Sequence, residues 1–169
     1  MSSKKREKNQ KKKVALIGCG LIGQSWAISF LSAGFEVSLF DPVEGVTVQS
    51  KEKIIVKLSD LQNYGLLKNK NISDFVDKIH LAQDILQAVE GSFYVQESGP
   101  EDLDIKRELT KKIDAATPDN IPIASSTSGI PASMYASEVK GKYRCLVAHP
   151  INPPHLIPAV EIVPAPFTS

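Results

Sequence analysis

The chain holds little that could cross-link it, anchor it or bind a metal. Only two of its 169 residues are cysteine. Cys19 and Cys145 fall where burial or a turn is expected, which is no disulfide framework and suits a reducing compartment. No apolar run approaches the roughly 20 residues that a membrane span needs. The basic start leads into a strand and a glycine turn, not into a signal-peptide core. These absences predict a cytoplasmic protein with no membrane partner. The three histidines, His80, His149 and His155, lack metal-ligand spacing, so no metal site is expected. No GxSxG elbow surrounds Ser128, which removes it as a nucleophile. The net charge is only +1, and it is unevenly spread. Residues 1–13 carry seven bases against Glu7, a local +6, so the remainder stands at −5. An acidic body argues against nucleic acid as the main partner.

What is present is one domain's worth of ordinary soluble composition. Residues 1–12 read as a solvated, disordered basic tail, with nothing apolar or aromatic interleaved. A localisation or membrane-surface patch is the alternative reading of that run. Residues 13–169 read as a single folded domain.

That domain opens on Val14-Ala15-Leu16-Ile17-Gly18-Cys19-Gly20-Leu21-Ile22-Gly23. An apolar run, a GxGxxG turn and a helix pattern follow one another, and an acid, Asp41, closes a second apolar run eighteen residues later. This is the sequence form of a dinucleotide-binding βαβ unit. Gly18 permits the tight turn, Gly20 lets backbone approach a pyrophosphate, and Gly23 lets the helix pack close to the sheet. The amides near Leu21 and Ile22 then face the phosphates. Asp41 can accept from both adenosine ribose hydroxyls, and its charge favours NAD over NADP. Cys19 sits in this loop either as a small side chain that fits or as a redox-sensitive thiol.

Ile22, Trp26 and Phe30, with Ala27 and Leu31, give the first helix its apolar stripe, and Gly34 ends it. Strands are expected over 35–40, 79–81, 92–96, 121–124, 144–148 and 159–163. Helices are expected over about 44–67, 82–89 and 101–115, with a short one near Met134. In the 101–115 helix, Leu103, Ile105, Leu109 and Ile113 are predicted to form the buried side. Alternating strands and helices predict an α/β fold of the Rossmann type, doubly wound on a mainly parallel sheet.

His149 directly follows the 144–148 strand, where ligands of open parallel sheets bind. Pro150-Ile151-Asn152-Pro153-Pro154 restricts the backbone beside it. Glu161 lies twelve residues on. A carboxylate on one imidazole nitrogen fixes the tautomer and frees the other nitrogen to take a proton. A structural histidine capping the strand is the alternative. His80 and His155 lack an obvious acidic partner in an adjoining strand. Ser125-Ser126-Thr127-Ser128-Gly129 closes another strand and could orient a substrate oxygen, or be only a polar turn.

Taken together, these blocks resemble the 3-hydroxyacyl-CoA dehydrogenase family, and within it the L-gulonate 3-dehydrogenase (lambda-crystallin) branch. The residues that carry the resemblance are Gly18 to Trp26, Gln96-Glu97-Ser98-Gly99-Pro100-Glu101-Asp102-Leu103, Ser126-Thr127-Ser128, and Ala148 to Pro154 with Val160-Glu161. The resemblance implies that His149 is the general base, that Glu161 orients it, and that Ser128 contacts substrate and nicotinamide. It implies that Gly18, Gly20, Leu21, Ile22, Gly23, Asp41, Glu101 and Lys106 hold NAD. The implied activity is hydride transfer from the secondary hydroxyl of a small 3-hydroxy acid, such as L-gulonate or carnitine, to NAD+. Pro150 stands where acyl-CoA members carry a bulky aromatic, which points away from acyl-CoA. The family also has a C-terminal helical domain that provides dimer contacts and a catalytic asparagine. Residues 13–169 are expected to lack that domain, with the hydride-transfer machinery incomplete as a result, and a homodimer is expected where the domain is present. A non-catalytic NAD-binding or crystallin-like structural module is the competing reading.

Overall fold

The computed structural model describes residues 12–67 and 71–169. Apart from Lys12, the basic tail lies outside the described residues. Strand β1 (Lys13–Ile17) starts the domain, and the chain then runs through α1 (Leu21–Ser32), β2 (Glu36–Phe40), α2 (Val46–Asn63), a short α3 (Ser73–Val76) and β3 (Ile79–Leu81). The second half runs α4 (Ile85–Val89), β4 (Ser92–Glu97), α5 (Leu103–Ala116), β5 (Ile123–Ser125), α6 (Ala132–Tyr135), β6 (Cys145–Pro150) and β7 (Val160–Pro164). The sheet order is β3-β2-β1-β4-β5-β6-β7. The first six strands are parallel and β7 is antiparallel to β6. This is the doubly wound Rossmann order. The chain reverses its winding between β1 and β4, and a crevice opens past their carboxyl ends.

The apolar run at 14–17 has a direct cause. Val14 and Leu16 face one layer, with Trp26, Ile28, Leu31, Ile54 and Leu58. Ala15 and Ile17 face the other, with Val95, Ile113, Ile123 and Tyr135. A strand covered on both faces must be apolar at every position. Helix α1 is likewise buried nearly all round, including Ile28 outside the expected stripe.

The structure revises four sequence expectations. Ile105 is 46% exposed; the fully buried positions of α5 are Lys106, Thr110 and Ile113, with Leu103 and Leu109 partly buried against the core as expected. The helix begins at Leu103, where Asp102 Oδ1 accepts the Ile105 N–H at 2.9 Å, and its buried stripe runs through 106, 110 and 113, which leaves Ile105 to one side. Asp84 caps α4 in the same way, so that helix is shorter than 82–89. Strand β6 runs on through His149 and Pro150, because antiparallel β7 extends the ladder past the end of β5. His149 is therefore a strand residue. Finally, His80 does have an acidic partner: Glu36 on adjoining β2 lies 2.9 Å from its Nε2.

Among the described residues no helix is long and apolar enough to cross a membrane. Both cysteines are free and buried. Burial, then the nearby Asp41 charge, pushes the Cys19 thiol up to about 12. Burial and Asp114 push Cys145 up to about 12 as well, against the lowering effect of Arg144. A buried thiol pushed up in this way is a poor nucleophile, which favours the reading of Cys19 as a small side chain that fits the loop. Neither cysteine should react with iodoacetamide in the native protein at neutral pH, and both should react after denaturation. Native labelling at Cys19 would contradict this environment.

Candidate functional site

The glycine turn is built by close backbone approach. Gly18 has φ +95°, and a Cβ there would stand 2.6 Å from the Ser98 carbonyl oxygen. A Cβ on Gly23 would meet the Gly18 carbonyl oxygen at 2.0 Å. Gly20 differs, because a Cβ there would enter open space, with nothing within 4 Å. The first two glycines close the turn and the third leaves an open cradle above it. No side chain caps the start of α1 and no acid occupies its first turn. Its first amides are thus available to an anion. Asp41 lies beside this cradle at the end of β2. Its Oδ2 accepts the Cys19 N–H at 2.9 Å, and Oδ1 accepts the Val43 N–H at 3.0 Å. Both bonds fix the carboxylate, and each oxygen keeps a further lone pair for a ribose hydroxyl. These residues fit a dinucleotide.

On the other side of β1 lies a cleft of about 270 Å3, bounded by Ile22, Ser98, Glu101, Ser128, His149 and Asn152 among others. His149 and Glu161 are cross-strand partners on β6 and β7. Nδ1 and Oε2 are 2.7 Å apart. A carboxylate can only accept, so Nδ1–H donates, and in the neutral imidazole Nε2 keeps its lone pair. The pair is partly solvated, and its value lies in orienting the ring more than in stability.

Glu101 organises the Ser128 loop. Its Oε1 accepts from Thr127 Oγ1 at 2.7 Å, Gly129 N–H at 2.9 Å, Ser128 N–H at 3.1 Å and Ser128 Oγ at 3.3 Å. Partial burial pushes its carboxyl up. The Thr127 hydroxyl, the Gly129 and Ser128 amides and the Lys106 ammonium outweigh that, and hold it below the usual carboxylate range.

Lys106, expected at the cofactor site, lies beneath it. Only 1% of its side chain is exposed. Its Nζ donates to both Glu97 carboxylate oxygens, at 3.1 and 3.2 Å, and lies 3.8 Å from Glu101 Oε2. Glu97 also accepts from Ser125 Oγ and from the Gly99 N–H. Sequence reasoning gave Glu97 no role. Its signal was an acid at the end of an otherwise buried strand, since such a charge needs a buried partner. Among the described residues no cluster of acids, cysteines and histidines could hold a metal.

Residues 13–169 match the family model described as 3-hydroxyacyl-CoA dehydrogenase, NAD binding domain. The chain belongs to the 3-hydroxyacyl-CoA dehydrogenase family. It is 40% identical over 152 residues to L-carnitine dehydrogenase of Streptomyces griseus, covering 90% of this chain and 44% of that protein. It is 38% identical over 158 residues to the Homo sapiens lambda-crystallin homolog, covering 92% of this chain and 49% of that protein. The crystal structure of a 3-hydroxyacyl-CoA dehydrogenase from Archaeoglobus fulgidus matches with a TM-score of 0.76 at 32% identity, over 94% of this chain and 49% of that one. M. tuberculosis FadB2 matches with a TM-score of 0.86 at 26% identity, over 95% of this chain and 55% of that one. The chain thus spans about half the length of these relatives, and it is their NAD-binding domain that it corresponds to.

The turn geometry separates two glycine substitutions. Gly20→Ala should leave the melting temperature within about a degree of wild type and abolish measurable NAD binding, because its methyl fills only the cradle. Gly23→Ala should lower the melting temperature by several degrees, as overpacking costs about 1–3 kcal/mol. Equal effects from both would contradict the assignment. For Glu101 the sign follows from its depressed folded-state pKa. Its contribution to stability is complete above about 4.5, the ordinary value, and is lost as pH falls through the lower one. Acid melting curves of Glu101→Gln should therefore be flatter than wild type below that pH, and parallel curves would refute the clasp.

Proposed function

We propose that this chain is the NAD-binding half of a dehydrogenase that oxidises the secondary hydroxyl of a small 3-hydroxy acid, of the L-gulonate or carnitine kind. The observation that carries the reading is the in-register His149–Glu161 pair, which stands at the cleft beside the α1 cradle. Leu21 and Ile22 offer amides to the diphosphate and Asp41 holds the adenosine ribose. When bound, NAD+ supplies the hydride acceptor.

The chain's own residues manage position and the proton. His149 Nε2 accepts the proton of the substrate hydroxyl as the carbon gives up its hydride. Glu161 stabilises the imidazolium that forms. Ser128 gives its hydroxyl hydrogen to Glu101 and keeps oxygen lone pairs at the cleft for a donor of the substrate other than the reacting O–H, whose hydrogen goes to His149. Glu101 and Lys106 act on the cofactor side by fixing the loop that carries Ser128. Pro150, where the resemblance expects a bulky aromatic in acyl-CoA members, lines the cleft beside His149 and favours a short acid. The likeness to an L-carnitine dehydrogenase supports that substrate class. The retained base pair argues against the competing role as a purely structural module. A second half supplied by a longer chain completes the enzyme and its dimer, and the cytoplasm is its compartment.

In the complete enzyme, His149→Gln should lower kcat about 100-fold or more, within the span of general-base catalysis. Glu161→Gln should cause a smaller loss, since it removes the ring's orienting carboxylate and leaves the base in place. NAD affinity should stay within twofold in both. Full activity in His149→Gln, measured as NADH formation from L-carnitine and L-gulonate, would defeat the mechanism.

A further inference from the structure

Four polar side chains outside the catalytic pair form a directed chain of hydrogen bonds that ends in the cleft. Tyr94 O–H donates to Gln96 Oε1 at 2.6 Å. Gln96 is fully buried, and its amide nitrogen donates to Ser126 Oγ at 2.7 Å and toward the Ala148 carbonyl at 3.4 Å. That carbonyl fixes the orientation of the amide, since reversing it would set two oxygens against each other. Trp26 Nε1–H also donates to Ser126 Oγ, at 3.1 Å. An indole N–H has no other role. Two N–H groups therefore occupy both lone pairs of Ser126. Its own hydrogen must go to Ser98 Oγ, 2.8 Å away. Ser98, already an acceptor, is left with its O–H to give. It lines the cleft together with Ile22, Ser128 and His149.

We infer that Ser98 donates its hydroxyl hydrogen to an acceptor oxygen on the nicotinamide-nucleotide half of the bound dinucleotide. This rests on the dinucleotide reading above. The direction follows from the sheet order. The adenosine ribose lies at Asp41, on the β2 side of β1, and the diphosphate lies over the turn after β1. The other nucleotide must continue to the opposite side, over β4, where Ser98 stands. The acceptor is an oxygen of the second ribose or of the carboxamide, and both present the same chemistry to a hydroxyl. The upstream donors polarise Ser126 and Ser98 in turn, which strengthens the final bond. Ser98 is thus a positioning residue that sets where the nicotinamide ring lies relative to His149.

The test compares NAD+, ADP-ribose and ADP by isothermal titration of this chain and its Ser98→Ala and Ser98→Thr variants. Ser98→Ala should weaken NAD+ binding about fivefold, the worth of one neutral hydrogen bond. ADP affinity should be unchanged, and Ser98→Thr, which keeps the hydroxyl, should lie nearer wild type than alanine. If ADP-ribose shares the loss, the acceptor is the second ribose; if it does not, the acceptor is the carboxamide. Unchanged NAD+ affinity in Ser98→Ala, or an equal loss for ADP, overturns the inference. Wild-type protein that binds none of the three ligands defeats the dinucleotide reading itself, a separate result.

Discussion

Two backbone approaches at the turn after β1 govern this domain. Gly18 sits against the Ser98 carbonyl, and Gly23 sits against the Gly18 carbonyl. No side chain can stand at either point. The first contact ties the end of β1 to the end of β4, the two strands that flank the reversal of winding. The second draws the start of α1 down onto the turn. Between them Gly20 is left open, and α1 points uncapped amides at the gap. The crevice is a consequence of how closely these segments pack.

Beneath the crevice the protein carries unusual polar burial. Glu97, Lys106, Gln96 and Ser125 all lie in the interior. Burying an ion pair is costly unless each lone pair and proton is satisfied. Here Lys106 spans both Glu97 oxygens and reaches toward Glu101, while Ser125 and the Gly99 amide take further positions on Glu97. A hydrophobic pair would pack more cheaply but could not fix the charge on Glu101. That charge gathers Thr127, Ser128 and Gly129 into one loop. The interior polar layer is therefore tied to the shape of the cleft through a single carboxylate.

Much of this was readable in the residue order, and the exceptions have physical causes. The βαβ start is clear because the apolar run at 14–17, the glycine spacing and the acid at Asp41 are all local. The His149–Glu161 pair could be proposed from an acid in the next apolar run, but its register depended on antiparallel pairing that no local pattern reveals. Ile105 was misplaced because Lys106 looked like a surface residue until Glu97 came to meet it. His80 looked unpartnered because Glu36 is distant in sequence and adjacent only across β2 and β3. The proton direction at Ser98 depends on Trp26, Gln96 and Ser126 converging from three separate elements, which composition and spacing cannot show.

The central claim is that a dinucleotide lies across the amides that open α1, with its adenosine ribose on Asp41. Titrating NAD+ into the isotope-labelled protein and following the backbone amides by two-dimensional NMR tests it directly. The account predicts saturable shifts concentrated at Cys19, Gly20, Leu21, Ile22 and Asp41, with residues beyond the crevice such as those of α2's far end unmoved. No shifts at saturating NAD+, or shifts gathered away from the turn while Gly20 to Ile22 stay still, would contradict it.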